Sequence, residues 1–132
     1  MGLFDKFKKS KDDEAFFEWL DLILKADFPN EIKAINFNLY EDTENKWSIE
    51  LIGTSVFDEN DDDWACCEAF STRDKPFVIV RESEWEEIEA LYADWVKNYL
   101  NTGKYSYKLK QYQAVGIGFV DGELQILYKQ TN

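Results

Sequence analysis

The chain has 132 residues, 45% of them apolar and 17% aromatic, which is too rich in core-forming side chains for a disordered acidic tail and enough for one folded domain. It carries 27 acidic against 15 basic residues, a formal net charge of −12, and no histidine. That charge repels nucleic acid and anionic lipid and attracts basic partners, and the missing histidine removes both the usual neutral-pH base and the commonest zinc ligand.

The charge is unevenly placed. Residues 1–11 and residues 97–132 each carry a net +3, which leaves −18 for residues 12–96. No apolar run reaches the roughly 20 residues that span a bilayer. Residues 1–11 place Leu3, Phe4 and Phe7 among lysines, a basic amphipathic leader too short in apolar contacts to hold a membrane alone. It lacks the apolar core and cleavage site of a secretory signal. Residues 12–132 are read as a single α+β domain.

In chain order, Asp12, Asp13 and Glu14 favour the start of a helix from about Asp13 to Asp27. Its apolar stripe is Phe16, Leu20, Ile23 and Leu24, and Pro29 ends it. Ile35, Phe37 and Leu39 alternate with polar residues, as do Trp47, Ile49 and Leu51, so a hairpin is expected. A loop at Thr43-Glu44-Asn45 pairs Asp42 with Lys46, Leu39 with Ile49 and Phe37 with Leu51, with Asn45 left-handed. Gly53 marks a bulge.

Trp64 to Phe70 reads as extended and Phe77 to Val80 as a short strand. Ser83 and Glu86 form a capping box before the stripe Trp85, Ile88, Leu91, Tyr92, Trp95, Val96 and Tyr99, and Gly103 is placed as a left-handed terminus. Residues 97–112 interleave lysines with Tyr105, Tyr107 and Tyr112; set beside the acidic centre, these are read as seam-covering aromatics rather than a stacking surface for nucleic acid. Asp121-Gly122 predicts a type I′ hairpin pairing Phe119 with Leu124, Ile117 with Ile126 and Val115 with Tyr128. Gly116 and Gly118 then lie on the opposite face, where something comes close. The expected fold is α+β, a mostly antiparallel sheet of five to six strands with two main helices on one face.

No catalytic motif is present, and the chain is read as a non-enzyme without cofactor or metal. Asp58-x-Asn60-x-Asp62 opens like a calcium loop, but Asp63 stands where glycine is required and Ala69 where glutamate is required. Adjacent Cys66 and Cys67 cannot bridge without strain and are read as one buried and one exposed thiol in a reducing cytoplasm. The feature with most to offer a partner is the acidic run between two aromatics: Phe57, Asp58, Glu59, Asp61, Asp62, Asp63 and Trp64. It combines steering charge with hot-spot residue types, so these seven are the expected contacts for a basic protein. The alternative is a small-ligand or enzymatic pocket near Cys66, Cys67 and Glu68. A homodimer through a sheet edge or the Gly116/Gly118 face is a third arrangement.

The segments INFNLYED (35–42), DDDWACCEAF (61–70) and AVGIGFVDGELQILY (114–128) together resemble small acidic immunity proteins of bacterial toxin systems, several families of which close with a GF-x-DG-type hairpin. The resemblance spans about residues 31–128 and rests on layout and composition. It implies a non-catalytic partner that binds and blocks a cognate toxin, often a basic nuclease. The same layout is also compatible with a bacterial family of other function.

Overall fold

Alternation of apolar side chains along the central strands decides which face of the sheet the helices cover. The computed structural model describes residues 11–131; the expectation for the basic leader falls on residues outside these, apart from Lys11. The elements are α1 (Lys11–Lys25), β1 (Ala34–Thr43), β2 (Lys46–Thr54), a 3-10 turn (Asp62–Cys66), β3 (Glu68–Ser71), β4 (Phe77–Val80), α2 (Trp85–Thr102), α3 (Ser106–Lys110), β5 (Ala114–Phe119) and β6 (Gln125–Lys129). They build one six-stranded sheet in the order β3-β2-β1-β5-β6. The free edge of β2 is shared: β3 pairs with its last residues and β4 with Lys46 to Ile49. All pairings are antiparallel except β1 with β5, which run parallel at the centre. The fold is therefore α+β as expected, with one parallel joint that needs the long crossover through α2 and α3.

Ile35, Phe37 and Leu39 of β1 lie beside Ile49 and Leu51 of β2 and Val115 and Ile117 of β5, all fully buried. Phe16, Leu20 and Leu24 of α1 and Ile88, Tyr92, Trp95, Val96 and Tyr99 of α2 close over them. Phe16 sits 5.5 Å edge-on to Phe77 and 5.7 Å from Trp95, so α1, β4 and α2 share one aromatic joint. The two buried phenols are satisfied: Tyr92 donates to the Trp47 carbonyl (3.0 Å), and Tyr99 donates to Asp21 (2.5 Å) while accepting from the Tyr105 N–H (3.2 Å). Burial pushes both hydroxyls far above the ordinary tyrosine range. Lys108 Nζ donates to the Leu24 carbonyl (2.6 Å), so the basic connector caps the carboxyl end of α1.

The first hairpin has the expected register from Ala34↔Thr54 to Glu41↔Trp47, but its tip differs. Asp42 bulges out, Thr43 pairs with Lys46, and Asn45 takes the left-handed conformation at φ 65°. The expected bulge appears at Gly53 on its β3 side. The capping box does not form: Glu84 occupies the cap position with extended backbone and Ser83 makes no cap bond to α2. Starting one residue later lets Trp85 lean on Phe119, ring centroids 5.9 Å apart. Gly103 is not left-handed either (φ −68°). It is required because a side chain there would lie 2.5 Å from the Tyr99 ring.

The last hairpin is corrected in its outer half. Val115↔Tyr128 is as expected, but Gly116 pairs with Ile126 and Ile117 with Gln125, and the turn is Phe119–Gly122, closed by Gly122 N–H donating to the Phe119 carbonyl (2.9 Å). No residue of that turn has positive φ, which excludes the type I′ geometry. The slip has a cause on the far face, where Leu124 packs with Trp64 and the Glu123 carbonyl lies over Gly118.

A methyl group at Gly118 would meet that carbonyl at 2.7 Å, whereas one at Gly122 meets only ordinary contacts at 3.6 Å. Gly118→Ala is therefore expected to lower stability by about 1–3 kcal/mol and Gly122→Ala by about 0.5 kcal/mol or less, read from urea midpoints. Equal effects would mean that the 120s loop does not seat on β5.

Candidate functional site

The acidic run lies across the sheet face opposite the helices. Trp64 is 3% exposed and forms a second small core with Ala34 and Ala114, reinforced by Phe57, Ala65 and Leu124. A Cβ at Gly116 would meet Asn36 Oδ1 at 2.6 Å and the Trp64 ring at an ordinary 3.4 Å, so the bare position makes room for the Asn36 amide, with the indole packed beside it. Phe57 stands edge-on to Trp64 at 5.1 Å. The two aromatics expected as partner contacts are thus turned inward, Trp64 fully and Phe57 by half, and act as anchors for the segment.

The carboxylates between them face water. Asp58 accepts from the Asn60 N–H (2.9 Å) and Asp61 from the Asp63 N–H (3.0 Å), two local turns that set the loop's shape and start the 3-10 turn. Glu59 pairs with Lys129, and Ser55 N–H donates to the Cys67 carbonyl (3.1 Å) at the base. Five acidic side chains are held on a short, fixed stretch. The expected extended stretch from Trp64 is instead this 3-10 turn followed by β3.

The structure brings together a second group that sequence reasoning passed over. Glu50 is one of the polar residues that alternate with Trp47, Ile49 and Leu51, yet it is completely buried on the same open face as Asn36 and Ser48. It pairs across the sheet with Asn38, and Arg73 Nη2 lies 3.2 Å from its Oε1. Arg73 is itself hydrogen-bonded to Glu68 at 2.6 Å, and neither Glu50 oxygen has a hydrogen-bond partner. Asn36 donates to Asn38 (2.7 Å) while its own Oδ1 is unpartnered. The glycines on β5 were the available signal, since bare positions beside a polar stripe announce that this face is covered. Glu68 belongs to this charged group through Arg73, whereas Cys66 and Cys67 do not: both are free and both are exposed, contrary to the expectation of one buried thiol. Among the described residues no three His, Cys, Asp or Glu side chains converge to hold a metal, and no helix is long and apolar enough to cross a membrane.

Burial raises the Glu50 pKa, and the opposing pull of Arg73 does not cancel it. A carboxyl whose folded pKa exceeds its unfolded value stabilises the fold below the ordinary carboxylate range, and that contribution is lost as pH rises through the folded value. Glu50→Gln is accordingly expected to raise the thermal midpoint at pH 7, with the difference from wild type shrinking as pH falls toward 4. A midpoint lowered at pH 7 would show the ionised form to be net stabilising.

Comparison with known proteins adds no relative: no family model, no curated protein and no solved structure matches the chain.

Proposed function

We propose that the protein is a non-catalytic binding domain whose acidic segment docks a basic protein, in the manner of an immunity protein that neutralises a basic toxin. The observation that carries this reading is the construction of the segment. Asp58, Asp61, Asp62 and Asp63 are exposed, while Trp64 and Phe57 fix the loop to the sheet. A charged loop held in one shape loses little conformational freedom on binding, so its negative potential steers a cationic partner and then docks it at low entropic cost. The contacts are assigned to the carboxylates of Asp58, Glu59, Asp61, Asp62 and Asp63, with Phe57 and Trp64 supporting from below. Two exposed free thiols suit a reducing compartment, and a cytoplasmic location is part of the proposal.

The test is affinity capture from the native cell with wild type and with Asp61→Asn, Asp62→Asn and Asp63→Asn combined. Asparagine keeps the turn-capping acceptor at position 61 and removes charge. The thermal midpoint should be nearly unchanged, and a basic protein held by wild type at low salt should be lost or released at lower salt. Recovery of the same proteins at the same salt by both versions would contradict the reading.

A further inference from the structure

On the open face, Tyr40, Asp42, Ser48, Glu50, Arg73 and Pro76 line a pocket of about 290 Å³. That volume suits the head of one side chain rather than a nucleotide or a sugar chain. Its floor is unusual. The Glu50 side chain is 1% exposed, and neither of its oxygens accepts a hydrogen bond. A buried carboxylate offers about four acceptor sites; here Oε1 has only the poorly aligned ion pair with Arg73 at 3.2 Å and Oε2 has no partner, which is costly.

The group that overlies it is not committed to it. Arg73 is 56% exposed, stands on the turn closed by Lys75 N–H donating to the Thr72 carbonyl, and makes its hydrogen bond to Glu68. At the rim, Asp42 is the bulged residue of the first hairpin and accepts from Ser48. Asp42, Glu50 and Glu68 against Arg73 leave the pocket region two negative charges in excess.

We propose that this pocket receives a guanidinium group, the head of an arginine side chain presented by a protein partner, with Glu50 as its buried counter-ion and Asp42 at its mouth. A planar guanidinium carries five donors in a fork that meets both oxygens of one carboxylate, which fills the acceptors Glu50 leaves open. Tyr40 offers a ring beside the path and Pro76 an apolar wall. Arg73 swings outward with Glu68 as its retained partner, so no charge is stranded. An ammonium fits less well, being more strongly hydrated and unable to bridge two oxygens in one plane. The pocket is separate from the acidic segment, none of whose carboxylates lines it; only the protein origin of the guanidinium rests on the function proposed above.

The experiment titrates Nα-acetyl-arginine methylamide into the isotope-labelled full chain at low salt and follows backbone amide shifts. Wild type should show saturable shifts at Ser48, Glu50 and Thr72 to Asp74. Glu50→Gln should weaken binding about tenfold or more, and Arg73→Ala, which removes the competing cation, should tighten it several-fold. The combined Asp61, Asp62 and Asp63 asparagine variant should bind the probe as wild type does. Unsaturable shifts spread over residues 58–63, or equal binding by wild type and Glu50→Gln, would overturn the pocket. Loss of probe binding in the asparagine variant would overturn it too, as general attraction to negative potential. If Glu50→Gln still captures the basic partner at wild-type salt resistance, the guanidinium does not come from that protein and the protein origin is overturned, while the acidic-segment reading survives.

Discussion

Gly116 leaves one face of β5 bare, where the Asn36 amide oxygen comes within 2.6 Å of a Cβ position and the indole of Trp64 packs alongside at van der Waals distance. Gly118, two residues on, admits the Glu123 carbonyl in the same way. This close approach of chain to sheet governs the half of the molecule that the helices do not touch. It fixes the end of an acidic segment that would otherwise repel itself away from the protein, and it draws Leu124 to the far face, displacing the register of the final hairpin by one residue. Burying an indole and its neighbours contributes a few kcal/mol, enough to hold a short loop against the mutual repulsion of exposed carboxylates, each pair of which costs about 1 kcal/mol or less in water.

The two layers of the protein follow different rules. On the helix side the sheet is a continuous apolar surface closed by aromatic rings, and the few polar atoms there, the hydroxyls of Tyr92 and Tyr99, find partners. On the open side polar groups are buried without full satisfaction: Asn36 at one acceptor, and Glu50 with no aligned hydrogen bond and only the Arg73 ion pair at Oε1. Native proteins leave few such groups, and a cluster of them beneath an exposed arginine reads as a place kept for a ligand rather than as a defect of packing. Acidic loop and buried carboxylate share one face, so a cationic partner approaching the loop also approaches the pocket.

Most of the helix side was legible in the sequence because it depends on local period. The stripe from Ile88 to Tyr99, the Leu39–Ile49 and Phe37–Leu51 pairs and the left-handed Asn45 all follow from spacing and backbone chemistry. The parallel joint between β1 and β5 was not legible, since it joins residues about 80 positions apart and no local pattern records it. The failures at Ser83 and Asp121-Gly122 share a reason, since each local signal was outbid by a tertiary contact, Trp85 on Phe119 and Leu124 against the Trp64 cluster, whereas Gly103 answers to the Tyr99 ring one turn back on its own helix. The acidic run was visible as composition, but the inward turn of Trp64 was not, because an aromatic flanking charge looks alike in a hot spot and in an anchor. Glu50 was hidden by the same alternation that revealed its strand.

The central claim is that Trp64, seated over Gly116, holds the acidic segment to the sheet. Backbone hydrogen exchange on Trp64→Ala tests it most directly. The account predicts that protection collapses at Ser55 and Cys67, whose amide bonds close the segment, while Phe37 and Ile117 in the central strands keep theirs. Unchanged protection at Ser55 and Cys67, or a uniform loss across the whole sheet, would contradict it.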